Sequence, residues 1–189
     1  PMKTLSLSME AWLNPQTIKA SLYTSLMNMS VAVFGAMMGS LYLMSRLQIN
    51  KDEAALINSM IFLGTIFGGP IIGWLSDHLK TRVLPMNVGA ILALSMVVAI
   101  LYLPVSFSWM ALLFFALGFF TSAQVIGYAM VAESAPPHLT ATSVSLVSIL
   151  TQAGYIIYQN IFSSLLLFHA DMHMDKGIPV YSLADFQRA

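Results

Sequence analysis

The sequence has 189 residues, of which 58% are hydrophobic and only 8% charged, with eight Lys and Arg balanced by eight Asp and Glu. Ordinary globular domains carry roughly 25% charged residues, so a soluble chain of this length could not cover its surface, and an integral membrane protein is expected. Zero net charge argues against nucleic acid as a partner, and the lack of cysteine excludes disulfides and thiolate chemistry.

Residues 1–19 hold Lys3, Glu10 and Lys19 and no continuous apolar core. They are therefore not a signal peptide and read as a cytoplasmic juxtamembrane entry. The start at Pro1 in place of Met points to a piece of a longer chain. Five stretches free of Asp, Glu, Lys and Arg follow, at 20–45, 54–76, 83–104, 109–131 and 141–168. Each is long enough for the roughly 20 residues that cross a bilayer as a helix. Lipid cannot satisfy loose backbone groups, and the alternation of a membrane barrel is absent. The expected fold is an all-α membrane protein with five complete transmembrane helices over 20–168.

The first span aligns Ser21, Asn28, Gly35, Gly39, Tyr42 and Arg46 on one side. Gly35 and Gly39 fit the small-xxx-small spacing of packed membrane helices. Before the second span, Asn50 and Glu53 are spaced as a capping box. That span carries Asn58, Thr65 and two further small-residue pairs, Gly64/Gly68 and Gly69/Gly73. It ends in GGPIIGWLSDHLKTRV, residues 68–83, where glycines and a proline run into Asp77, His78, Lys80 and Arg82. The third span, MNVGAILALSMVVAILYLP, is nearly featureless and is expected to face lipid.

The fourth span sets Thr121, Gln124 and Tyr128 on one face. Pro136 and Pro137 separate it from the fifth, since proline cannot continue the helix before it. In the fifth span Ser145, Ser148, Gln152, Tyr155, Gln159 and Ser163 fall within an arc of about 80°. A polar stripe of that length is read as one wall of a water-filled cavity. Trp74, Trp109, Tyr42 and Tyr102 lie near span ends, as interfacial aromatics do.

After Phe168 a polar loop, HADMHMDKGIPVYS, leads to SLADFQRA, which reads as the capped start of a sixth helix cut short. Residues 169–189 are thus an extracytoplasmic loop plus that start. His169 and His173, with Asp171 between them, would suit a metal if helical, but a solvated loop is the reading, and no metal or cofactor is expected. Basic residues split evenly between the two sides, so only the density of Lys80 and Arg82 places the 77–82 loop in the cytoplasm.

No HExxH, GxSxG, phosphate loop or dinucleotide fingerprint is present, so an enzyme is not expected. The corner at 68–83 resembles the loop signature of the major facilitator superfamily, G-x-x-x-D-[RK]-x-G-[RK]-[RK], through Gly73, Asp77 and Arg82. His78 stands where the pattern has a basic residue, Lys80 where glycine is usual, and Thr81 where a basic residue is usual. AESAPPHLTATSVSLVS, residues 132–148, is similar to the family's junction of helices ten and eleven through Glu133, Pro136 and Pro137.

The resemblance implies helices seven to eleven and the start of twelve, in the second half of a two-half secondary transporter. Such halves consist of inverted three-helix repeats and rock about a central site. It also implies a gating loop of Gly73, Asp77, Arg82 and Glu133. The expected function is passage of a small polar solute, with an organic anion or short peptide favoured. The solute would pass Asn28, Asn58, Gln124, Tyr128, Ser148, Gln152, Tyr155 and Gln159, and Arg46 could attract an anion near the mouth. The implied partners are the bilayer, the solute and the transporter's other half. The implied location is the plasma membrane, specifically a bacterial inner membrane. Alone, the chain is expected to be inactive. The alternative is a five-span scaffold that binds a partner and transports nothing, its polar stripes dry against protein.

Overall fold

The computed structural model describes residues 14–169, 173–175 and 178–180. The first thirteen residues, the SLADFQRA segment and Asp171 lie outside the described residues, as do the side chains of His169 and His173. The expectations placed on them are therefore not addressed.

The described residues fold as five successive helical spans, the first of them bent at a break. The first is built in three pieces: α1 (Pro15–Ser30), a π-helical turn (Val31–Met37) and α2 (Gly39–Leu47). The second is α3 (Lys51–His78) and the third α4 (Val83–Tyr102). The fourth comprises α5 (Phe107–Thr121), a 3-10 turn (Ser122–Gln124) and α6 (Val125–Ser134), and the fifth is α7 (Thr140–His169). In the stretch expected to be a polar loop, β1 (His173–Asp175) pairs antiparallel with β2 (Ile178–Val180). The β-branched Ile178 and Val180 favour an extended backbone there.

Local chemistry sets the helix ends. The Asn14 side chain accepts from the Gln16 N–H at 2.9 Å with Pro15 at the first helical position, a start that suits proline's fixed φ. The Asn50–Glu53 box forms in both directions, at 2.9 and 3.1 Å. It draws Lys51–Glu53 into the first turn of α3, which is why the helix begins before the uncharged stretch at 54.

The first span is not the single helix expected over 20–45. Its two parts meet at 60°. No proline lies at the break. Asn58 Nδ2 instead donates to the Gly35 carbonyl at 2.7 Å, bracing the π-helical turn from the neighbouring span. A Cβ on Gly39 would lie 2.5 Å from Asn58 Oδ1, so only glycine lets the chain resume a helix that close to the brace. Asn58 thus supports the backbone and does not face the polar cavity described below.

Packing runs through glycines. A Cβ on Gly64 would come within 2.1 Å of the Phe115 carbonyl oxygen, and one on Gly118 within 1.9 Å of that of Ile61. These contacts let α3 and α5 approach backbone to backbone around the buried Ile57, Ile61, Phe114 and Leu117. Gly69 and Gly73 have nothing within 4 Å. Of the two small-residue pairs in α3, only Gly64/Gly68 is used inside this bundle.

The third span packs on the first and fourth and shows an apolar outer face, as its composition leads one to expect. Gly89 meets Ala123 of the fourth span, while Ile91 and Leu94 are each 65% exposed. Tyr23 and Tyr42 donate to its Met86 and Ile100 carbonyls at 2.9 and 2.6 Å. Tyr42 is buried and not interfacial, whereas Trp74, Trp109 and Tyr102 are exposed near helix ends. Exposed apolar side chains on every span give an outer surface far larger than the patches soluble monomers carry, and it suits hydrocarbon.

Candidate functional site

Two places gather polar side chains, one at mid-span and one at the end of the bundle that carries Arg82. The first is a cavity of about 310 Å3 lined by Asn28, Gln124, Val125, Tyr128, Ser148, Thr151 and Gln152. Three spans meet there because small residues allow it. A Cβ on Gly127 would lie 2.3 Å from Thr24 Oγ1, and one on Gly154 would lie 1.9 Å from Ser25 Oγ. The first span therefore sits tightly against both the fourth and the fifth. The Ser25 and Tyr158 hydroxyls share a hydrogen bond at 3.1 Å beside that contact.

Gln124 reaches the cavity from the 3-10 turn that breaks the fourth span. Hydroxyls hold that turn. Thr121 donates to the Leu117 and Gly118 carbonyls at 2.8 and 3.0 Å, and Ser122 to Gly118 at 2.9 Å. Thr24 donates to the Gln124 carbonyl at 3.3 Å. Ser and Thr bonded back to the previous turn compete with the regular ladder and bend helices. The first span, at its π-helical turn, and the fourth are both irregular near mid-span.

Five of the eight residues expected along the pathway meet in this cavity: Asn28, Gln124, Tyr128, Ser148 and Gln152. Tyr155 and Gln159 lie further along the same stripe of α7, half-buried and outside the cavity. Ser145, Ser148 and Gln152 are exposed, so no other span of the described chain covers that part of the stripe. Val125 and Thr151 also line the cavity. Thr151 lies three residues beyond Ser148, one turn along the face already singled out. Its hydroxyl proton is engaged by the Val147 carbonyl at 2.8 Å, which leaves it an acceptor toward the cavity.

The second place is an ionic corner lined by Ser76, Asp77, Lys80, Arg82 and Glu133. Arg82 is its hub. Nη1 donates to Asp77 Oδ1 and, at 2.9 Å, to Ser76 Oγ. Nε donates to Glu133 Oε2 at 3.2 Å, and Nη2 to Glu133 Oε1. The forked guanidinium thus grips Glu133 with two bonds, a geometry that arginine alone among the basic residues provides. The hydrogen bond to Glu133, then that to Asp77, raises the Arg82 pKa above its already high ordinary value. Sequence reasoning missed Ser76, whose only signal is that it precedes Asp77.

Lys80 adopts φ 51°, the left-handed region. Such backbone costs a non-glycine residue roughly 1–2 kcal/mol, which explains why glycine is usual at this point of the loop pattern. Gly73 is half-exposed, a Cβ there would meet nothing within 4 Å, and it does not line the corner. Arg46, at the opposite end of the bundle, donates from Nη2 to the Leu103 carbonyl at 2.8 Å. It caps the third span, as a cation at a helix C-terminus favourably does.

The family model described as Major Facilitator Superfamily matches residues 20–173, most of the chain. No curated protein and no solved structure matches it.

Proposed function

The chain belongs to the Major Facilitator Superfamily of membrane transporters, and on that premise we propose that its five spans form one wall of an alternating-access pathway for a small polar solute. One observation carries the proposal: Asn28, Gln124, Tyr128, Ser148 and Gln152 meet in one cavity from three different spans. Their neighbours on the fifth span, Tyr155 and Gln159, extend the same polar surface along the bundle. A second helical bundle facing that surface would close the pathway. The loop at 73–82 and the junction at 132–148 support assigning these spans to the second half of such a transporter, helices seven to eleven.

In this reading residues 20–168 are the transmembrane bundle, residues 1–19 its cytoplasmic entry, and residues 169–189 an extracytoplasmic loop with the beginning of another helix. The membrane is the plasma membrane, a bacterial inner membrane. The Asp77–Arg82–Glu133 corner acts as a cytoplasmic gate, holding the loop after the second span against the end of the fourth. The solute is an organic anion or a short peptide, and the bundle transports only together with its other half.

The lack of cysteine makes the test direct. Single cysteines at 145, 148, 152, 155, 159 and 163 are exposed to a membrane-impermeant maleimide in vesicles. Labelling at 148 and 152 is expected. Failure of all six to label refutes a water-filled pathway and favours a dry, partner-binding scaffold.

A further inference from the structure

The polar cavity has a definite chemical character. Three of its lining side chains are primary amides, from Asn28, Gln124 and Gln152, and a fourth is the Tyr128 phenol. Among the described residues these four side chains make no hydrogen bond. Each amide offers two donor hydrogens beside a carbonyl acceptor, and the phenol can do either. Thr151, its proton already engaged, adds lone pairs only. The wall therefore donates and accepts in comparable measure.

No charged residue lines the cavity. The nearest one along α6 is Glu133, five residues from Tyr128, or about 7.5 Å along the axis, and its charge is met by Arg82. Lys19 lies nine residues before Asn28 in α1, about 13 Å along the axis. An ionised group entering this cavity would lose water without gaining a counter-charge from the wall, which is strongly penalised. A carboxylate only accepts hydrogen bonds and would leave the amide carbonyls and Thr151 facing negative charge. A hydroxyl or a secondary amide donates and accepts at once and can satisfy both kinds of group.

We infer that this wall takes an uncharged part of the solute that both donates and accepts hydrogen bonds, either an amide or a hydroxyl-rich group. The inference rests on the pathway reading and narrows it. A short peptide fits through its backbone amide, and a sugar-like solute fits through its hydroxyls. An organic anion would have to place its charge against some other wall.

The test uses Ser148→Cys in the naturally cysteine-free chain, in membrane vesicles, with a water-soluble maleimide. The rate of labelling is measured with N-acetylalanine methylamide, with glucose and with succinate, each at millimolar concentration. One of the two neutral probes is expected to slow labelling several-fold, and which one does so identifies the source of the chemistry. Succinate is expected to leave the rate unchanged. With Gln152→Ala or Gln124→Ala added, about tenfold more of the protecting probe should be needed, the change that follows from losing roughly one good hydrogen bond. Protection by succinate alone, or by none of the three, overturns the inference while leaving the pathway standing. If Ser148→Cys never labels, the pathway falls and the inference falls with it.

Discussion

Four glycines of α3 form a natural experiment within one helix. A methyl group on Gly64 would meet the Phe115 carbonyl oxygen at 2.1 Å and the Phe119 nitrogen at 2.8 Å, whereas one on Gly73 would meet nothing within 4 Å. Both obstacles at Gly64 are backbone, so no side chain can swing aside. Since real Cβ atoms essentially never come closer than 3.0 Å to such neighbours, Gly64→Ala must push α3 and α5 apart by about 1 Å, in a zone where buried methylenes forced into a packed core cost about 1–3 kcal/mol. Replacing glycine by alanine in a helix gains about 0.8–1.0 kcal/mol of propensity at either site. That gain cancels in the comparison. The two variants should therefore differ in stability by about 1–3 kcal/mol, with Gly73→Ala no worse than the parent protein and Gly64→Ala clearly below Gly73→Ala. Denaturation of the purified protein in mixed detergent micelles, followed by circular dichroism, measures the gap. Equal midpoints, or a lower midpoint for Gly73→Ala, would show that the α3–α5 contact is not made as described.

Other consequences follow from single contacts. A double-mutant cycle of Arg82→Gln and Glu133→Gln should return a coupling of about 0.2–1 kcal/mol, as exposed ion pairs do, and molar salt should shrink it; a coupling indifferent to salt would refute an exposed pair, since Glu133 is 57% exposed and Arg82 23%. Lys80→Gly should raise the melting midpoint, because relief of the left-handed φ is worth about 1–2 kcal/mol and is only partly offset by the greater freedom of glycine in the unfolded chain; an unchanged or lower midpoint counts against the strained turn. Asn58→Ala should destabilise the protein by about 0.5–1.5 kcal/mol through loss of the bond to Gly35. A purely solute-facing Asn58 would leave stability untouched, so the same melting curve separates the two roles.

An all-helical membrane chain of four or five spans was legible because the membrane imposes a simple rule: charges stay out of about 20 consecutive residues. The apolar outer face of the third span was legible for the same reason, since a helix with nothing polar to hide can face lipid. The capping box before α3 was readable from two residues at fixed spacing. The break in the first span was not. Gly35 and Gly39 carry the same spacing as any packing pair, and only the approach of Asn58 from the next helix turns one of them into a bracing point.

A helical wheel drawn through that break scatters its stripe. Asn28 reaches the cavity, while Tyr42 turns toward the third span and Arg46 caps it. The fifth span, unbroken, kept its stripe as the wheel drew it. The choice between the glycine pairs of α3 depended on which face met α5, a tertiary fact without local signal. The corner could be anticipated from the loop pattern, but not that Arg82 is its hub. Arginine has the donors to serve several partners at once, and that capacity shows only when Glu133 arrives from fifty-one residues away in sequence.

That reach has a mechanical meaning. Arg82 stands between the second and third spans, and Glu133 lies at the end of the fourth. A single side chain therefore ties the loop after the second span to the fourth at one end of the bundle, while Gly64 and Gly118 interlock the second and fourth spans near their middles. The same two spans are thus joined twice by unlike means, a salt-sensitive one at the end and a salt-indifferent one in the middle, so ionic strength can loosen the first and leave the second.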